Sequence, residues 1–147
     1  LRMCHSIDFR NRLEIDFPTI PLAELLLEKM QIVEFTEKDA NDSMMLLREH
    51  EIGDSDSEVI NQEYIARLLS RDWGFYYTVT TNLKKMRDTF LDSLGKDHLS
   101  QDDKEDIKAK IDRALRRIEK EPKEMSWKMR AKIGTKRLWY QEVESRR

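Results

Sequence analysis

A chain of 147 residues with 39% hydrophobic content is long enough for one domain with a true core. With 38% charged residues most of the surface must carry charge, and only four Gly and three Pro exclude a loop-rich all-β fold in favour of long helices. The net charge of −2 conceals an asymmetry: positions 36–63 hold nine acids against two bases (−7), and positions 123–147 hold eight bases against three acids (+5). Such a basic end suits either a nucleic-acid contact or an ordinary solvated helix face.

Taken in chain order, residues 2–17 read as two strands. Arg2 to Ile7 is short and mixed, Arg12 to Phe17 alternates with period two, and 8–11 would form the turn. A two-stranded hairpin is marginal alone, so these strands are expected to extend a larger sheet or to pair across a homodimer. Leu1 stands where an initiator methionine would, so the start reads as internal and the chain as a fragment. The single cysteine, Cys4, excludes an internal disulfide framework and a thiolate zinc cluster. No apolar run reaches membrane-spanning length and no signal-peptide cleavage site follows the start, so the cytoplasm is the expected compartment and no membrane partner is expected.

Pro18 and Pro21 frame a stiff connection into a helix over 21–33. Leu22, Leu25, Leu26 and Val33 share one predicted face, Lys29 projects among them, and Glu24, Glu28 and Gln31 point the other way. An ammonium in that position must snorkel outward, pair with a carboxylate or reach an anionic ligand. Thr36-Glu37-Lys38-Asp39 predicts a capping box opening a helix to about His50, with Ala40, Met44 and Leu47 inward. Residues 51–58 are polar and acidic and read as an exposed loop. Asn61 caps a short helix carrying Tyr64, Ile65, Leu68 and Leu69.

Residues 72–94 are rich in β-formers, yet Phe75, Val79, Leu83, Met86 and Phe90 recur every three or four positions, which predicts a helix. After a break at 95–99, Ser100-Gln101-Asp102-Asp103 caps a helix with Ile107, Ile111, Leu115 and Ile118 inward. Pro122 separates it from a last helix carrying Met125, Met129, Ile133, Tyr140 and Val143, with Gly134 as its weak point. The expected fold class is α+β, mainly α: a short N-terminal β hairpin, then about six helices, the last two forming an antiparallel helical hairpin.

Chemistry-bearing patterns are sparse. His5, His50 and His98 lack metal-ligand spacing and read as surface or turn histidines. No nucleophile elbow, phosphate-binding glycine loop or dinucleotide fingerprint occurs. Trp73, Trp127 and Trp139, with Tyr76, Tyr77 and Tyr140, serve either as stacking platforms for bases or as packing anchors. The run from Lys128 to Arg137, with Lys128, Arg130, Lys132, Lys136 and Arg137, is the nucleic-acid candidate; its interleaved apolar residues also describe a packed amphipathic helix.

The run Phe17 to Val33, followed by Glu37-Lys38-Asp39-Ala40-Asn41-Asp42, resembles the back half of nucleotidyltransferase-fold proteins, an uncharacterised prokaryotic group related to the abortive-infection toxin type. In that group a leucine-rich helix carries a lysine and a KDxxD-like element begins the next helix. Asp72 to Tyr77 and the Trp139-Tyr140 ending resemble the group's accessory region. The resemblance implies a Gly-Ser turn, a carboxylate pair and a third carboxylate holding two magnesium ions, which align a nucleoside triphosphate for attack on its α-phosphate by an acceptor hydroxyl. Lys29 matches the position expected to contact the nucleotide phosphates. Asp39 and Asp42 match the element that positions this lysine or joins the nucleotide-binding site.

The chain departs from the family in having no Gly-Ser turn with a following DxD pair. Asp8, Glu14 and Asp16 lie on the expected hairpin, and Asp8 or Asp16 could stand for the third carboxylate, with turn and strand-surface roles as the alternative. The family's strand order puts the magnesium ligands upstream of Leu1, so no catalytic or metal residue is assigned in this segment.

The implied organisation is a nucleotidyltransferase-like core portion over 1–50 and a helical accessory region over 51–147. The expected function is support of nucleotidyl transfer from a nucleoside triphosphate to an unknown acceptor, with RNA or a protein as the candidates, inactive as this chain alone, with Lys29 facing a cleft. The alternative is a non-catalytic helical module that binds RNA or a protein partner through the basic C-terminus.

Overall fold

The computed structural model describes His5, residues 20–94 and residues 98–141, and it is mainly helical. Helices α1 (Leu22–Met30) and α2 (Glu37–Glu49) come first, then short strands β1 (Ile52–Gly53) and β2 (Ile60–Asn61). Helices α3 (Gln62–Leu69) and α4 (Trp73–Lys85) follow, and α4 continues through a π-helical turn at Met86–Phe90 into α5 (Leu91–Leu94). Helix α6 (Gln101–Lys120) comes next, and α7 (Met125–Ile133) ends in a 3-10 turn at Gly134–Lys136. With 73–94 counted as one rod, six helices lie among the described residues.

Most helix starts follow from their caps. Thr36 and Asp39 form the expected capping box of α2, and Ser100 and Asp103 that of α6. Asn61 and Asp72 accept from the backbone N–H of Tyr64 and Phe75, at 3.0 and 3.1 Å, and open α3 and α4. The β-rich stretch over 73–81 is helical because Phe75, Val79, Leu83 and Met86 all enter the core, and packing outweighs local propensity. The π turn adds one residue to the register, so Leu91 is buried in place of Phe90, and Phe90 packs edge-on against Phe35 with centroids 5.9 Å apart.

Three expectations are corrected. The strands among the described residues lie in mid-chain and pair in parallel, Ile52 with Ile60 and Gly53 with Asn61. A two-residue bridge leaves no periodic trace in sequence. It forms because Ile52 and Ile60 are both drawn into the core, and the acidic loop between them arches outward. The N-terminal hairpin expected over 2–17, and its dimer contact, lie outside the described residues apart from His5.

Second, α1 is rotated from its expected face by about one residue's step, roughly 100°. Ala23, Leu26, Leu27 and Met30 are buried together with Glu24 and Gln31, whereas Leu22, Leu25 and Val33 are only half-buried. The helix is contacted by α2, α3, α4 and β2, so its buried arc is wider than one stripe and takes in two polar side chains.

Third, the last two helices form no antiparallel pair, because α7 lies against α4. The turn at 121–124 is tied to the end of α3 by Glu124 N–H donating to Ser70 O at 3.0 Å, which directs α7 away from α6. One apolar cluster runs from Ala23 to Ile118 and draws on both sides of residue 50.

Candidate functional site

Lys29 sits in the last turn of α1 and reaches the first turns of α2. Its Nζ lies 3.1 Å from Asp42 Oδ2 and 3.6 Å from Asp39 Oδ1. Asp39 is itself fixed, since its Oδ2 accepts from Thr36 N–H at 3.1 Å and Thr36 Oγ1–H at 2.7 Å. The other end of the arrangement is set by α4: Asn82 Nδ2 donates to Met30 O at 2.9 Å and Ile32 O at 2.7 Å, satisfying carbonyls that the end of α1 leaves free.

Partial burial pulls the Lys29 ammonium down, but the hydrogen bond and charge of Asp42, with the charge and hydrogen bond of Asp39, outweigh it and leave the pKa raised. The Lys29 side chain remains 33% exposed, so the ion pairs themselves contribute only about 0–1 kcal/mol of stability. What the arrangement provides is a fixed cation with one exchangeable partner, because Asp42 is 42% exposed and holds no cap, whereas Asp39 is committed to Thr36.

The described residues do not fit a magnesium site. They contain no group of three or more His, Cys, Asp or Glu able to hold an ion, and Asp39 and Asp42 are both turned to Lys29. Asp8, Glu14 and Asp16 lie outside the described residues. A cleft of about 150 Å³ is lined by Val33, Tyr77, Thr78, Thr81, Asn82 and Trp139. Lys29 is not among its walls, although Asn82 links the two places.

The structure splits the basic run in two. Arg130 is a fastening residue: its guanidinium donates to Gly134 O at 2.8 Å, Arg137 O at 3.0 Å and Leu138 O at 3.3 Å, and lies over the Trp73 ring. Lys128, Lys132, Lys136 and Arg137 are exposed, with no carboxylate in salt-bridge reach among the described residues. The acidic segment at 49–58 does not neutralise them.

The expected burial of this helix's apolar face is also corrected. Met125, Met129 and Ile133 are 69%, 63% and 41% exposed, and no residue of α7 is fully buried. Trp127, Arg130 and Ala131 are its half-buried residues, with Trp127 against Tyr76 and Arg130 over Trp73. Tyr140 is not helical, because Gly134 at φ +60° ends α7, and Val143 lies outside the described residues.

The aromatic residues act as anchors. Trp73 stacks on Tyr77 at 5.2 Å, Tyr77 meets Trp139 edge-on at 5.2 Å, and Tyr76 meets Trp127 edge-on at 5.1 Å. The stretches Asp72 to Tyr77 and Trp139-Tyr140 therefore meet in space. Tyr76 also donates its hydroxyl to Glu119, and burial together with that carboxylate pushes the phenol well up. Lys123 beside it caps the end of α6, donating to Ile118 O at 2.6 Å and Glu121 O at 2.7 Å. Burial lowers the Lys123 pKa, with Glu119 and Glu121 opposing it in part.

Two residues carry more than the sequence suggested. Lys110 is only 1% exposed, and its Nζ donates to Leu47 O at 2.7 Å and pairs with Asp106 at 2.8 Å and Glu51 at 3.5 Å. Among the described residues the truly buried lysine is thus Lys110, and its place between Ile107 and Ile111 on an apolar stripe was the available signal. His5 is buried rather than on the surface. Its ring stacks on Phe75 at 4.9 Å and places Nε2 3.0 Å from Thr78 Oγ1, while its backbone N–H donates to Gln31 Oε1 at 3.3 Å. Burial lowers its pKa, with Asp72 pulling the other way.

The chain matches no family model, and comparisons with curated proteins and with solved structures return no significant match.

Proposed function

We propose that this chain is the supporting, C-terminal portion of a nucleotidyltransferase-like protein, in which Lys29 contacts the phosphates of a nucleoside triphosphate and Asp42 and Asp39 hold it ready. The observation that carries the reading is the Lys29 cluster, in which the carboxylates of the KDxxD-like element close on the lysine of the preceding helix. A triphosphate would take the place of Asp42, the exposed partner, while Asp39 keeps the ammonium in position. Holding magnesium and the attacking acceptor falls to parts of the site outside the described residues. Titration of the full-length protein with a magnesium nucleoside triphosphate tests this: Lys29→Met should weaken binding by about tenfold or more, roughly 1.4 kcal/mol, with helical content unchanged. Unchanged affinity would leave Lys29 a structural ion-pair partner of Asp42 and Asp39.

A second reading is favoured by one specific observation, the outward apolar and basic face of α7. In that reading the chain is a non-catalytic helical module that engages RNA or a protein through its basic C-terminus.

A further inference from the structure

We propose that the outward face of α7 docks an acidic, amphipathic helix of a protein partner; the inference rests on the second reading above and is independent of Lys29. At 100° per residue Met125, Met129 and Ile133 fall within one arc of about 80°, with Lys132 and Lys128 along one side of it. Trp127 and Ala131 occupy the opposite side and turn to the body. The exposure of the residues follows this wheel, with Met125 and Met129 the most exposed large apolar residues of the helix. Methionines suit such a surface, being flexible and polarizable enough to fit varied apolar partners.

The face is held rigidly, which lowers the cost of binding. Glu124 N–H is fixed to Ser70 O, and Arg130 gathers the carbonyls of Gly134, Arg137 and Leu138. Trp139 then secures the following segment by donating Nε1–H to Thr78 Oγ1 at 3.2 Å. An exposed helix this well fastened is a presented surface, not a frayed end.

Charge complementarity decides the occupant. No acid occurs between Met125 and Gln141, and Lys128, Lys132, Lys136 and Arg137 have no carboxylate partner among the described residues, so the partner must be anionic. It must also be apolar along a row of about 12 Å, the rise of eight helical residues. An RNA backbone offers the anions without the apolar row. A lipid surface favours a wider apolar arc with its aromatic side chains outward, whereas Trp127 faces in. A helix with leucines on one face and glutamates beside them supplies both, in the groove-free counterpart of helix recognition through spaced anchors.

The test uses fluorescence anisotropy of a labelled model peptide with leucines at helical spacing and glutamates elsewhere, added to the full chain. Comparators are the same composition scrambled off one face, an oligouridylate, and phosphatidylcholine–phosphatidylserine vesicles. Saturable binding is expected, about tenfold weaker for the scrambled peptide and for the variant M125S with M129S. The variant K128Q with K132Q should bind more weakly and with a flatter salt dependence. Circular dichroism like the parent's shows that these exposed substitutions leave the fold intact. Equal binding of the scrambled peptide, an unaffected methionine variant, or no binding of the amphipathic peptide overturns the proposal. Binding of oligouridylate alone would overturn it while leaving the second reading standing, and vesicle binding alone would overturn it in favour of a lipid surface. Absence of all binding would remove both.

Discussion

Gly74 on α4 lies directly against the carbonyl of Trp139, so close that a Cβ at position 74 would overlap that oxygen. The segment after α7 crosses α4 at this point, and the Trp139 ring then reaches Tyr77 and Thr78. A glycine is required here by space, not by its backbone angles. Gly74→Ala should push the crossing segment outward and cost about 1–3 kcal/mol, the range for overpacking. Urea unfolding gives the stability, and near-ultraviolet circular dichroism reports the Trp73, Tyr77 and Trp139 cluster. Unchanged signals in both would mean that the segment yields freely.

Asn82 should be as sensitive for a different reason. Its amide satisfies two carbonyls at the end of α1, and it is itself buried. Asn82→Ala leaves Met30 O and Ile32 O without that donor, at about 1–3 kcal/mol. Asn82→Asp should be worse, since a carboxylate would face two carbonyl oxygens. Equal midpoints for the two variants in urea would show that water replaces the amide.

Lys110 offers a third test. Lys110→Met keeps most of the volume and removes the donor to Leu47 O, while Asp106 and Glu51 stay in solvent at 50% and 69% exposure. No buried charge is stranded, so the expected cost is that of one lost donor to a buried carbonyl, about 1–2 kcal/mol, rather than the 3–5 kcal/mol of a broken buried pair. A loss in the larger range would show that the two carboxylates depend on this ammonium.

The helices were legible where local chemistry speaks for itself. Thr36 with Asp39, Asn61, and Ser100 with Asp103 announce α2, α3 and α6, and the period of Phe75, Val79, Leu83 and Met86 announces α4. Asp39 and Asp42 were grouped with Lys29 by the resemblance, not by spacing, and the 3.1 Å pair with Asp42 is what the structure adds. Facing directions were harder, because a sequence does not say how many neighbours a helix has. Helix α1 has neighbours on several sides and buries Glu24 with its leucines, and α7 has so few that its methionines stay in solvent. The bridge of Ile52 to Ile60 is too short to carry a period, and the one-residue register shift at Met86–Phe90 replaces Phe90 by Leu91 without any sequence mark.

His5 gives stability a pH dependence whose sign follows from burial. Its folded pKa lies below the ordinary 6.5, so the folded state resists protonation more than the unfolded one. The contribution is complete above 6.5 and is lost as pH falls from there through the lowered folded value. The urea midpoint should therefore drop as pH falls from about 7 to about 5, before most carboxylates titrate. His5→Gln should flatten that decline. A variant that keeps the full slope would assign it to other groups.

Lys29 and Asp42 should respond to substitution with opposite signs if the phosphate reading holds. Asp42 occupies the ammonium that a triphosphate needs, at 3.1 Å, and it is the exposed partner. Asp42→Asn should tighten triphosphate binding because the competing charge is gone, whereas Lys29→Met should weaken it. Asp39→Asn is the control: it disturbs the capping box with Thr36, so about 1 kcal/mol of stability is lost and the lysine is less well held. Urea unfolding of each variant separates that stability effect from binding. If the Lys29–Asp42 pair were only a surface ion pair, a double-mutant cycle would give a stability coupling of about 0–1 kcal/mol and neither substitution would move triphosphate affinity. Tighter binding by Asp42→Asn with loss by Lys29→Met is the outcome that a structural pair cannot produce.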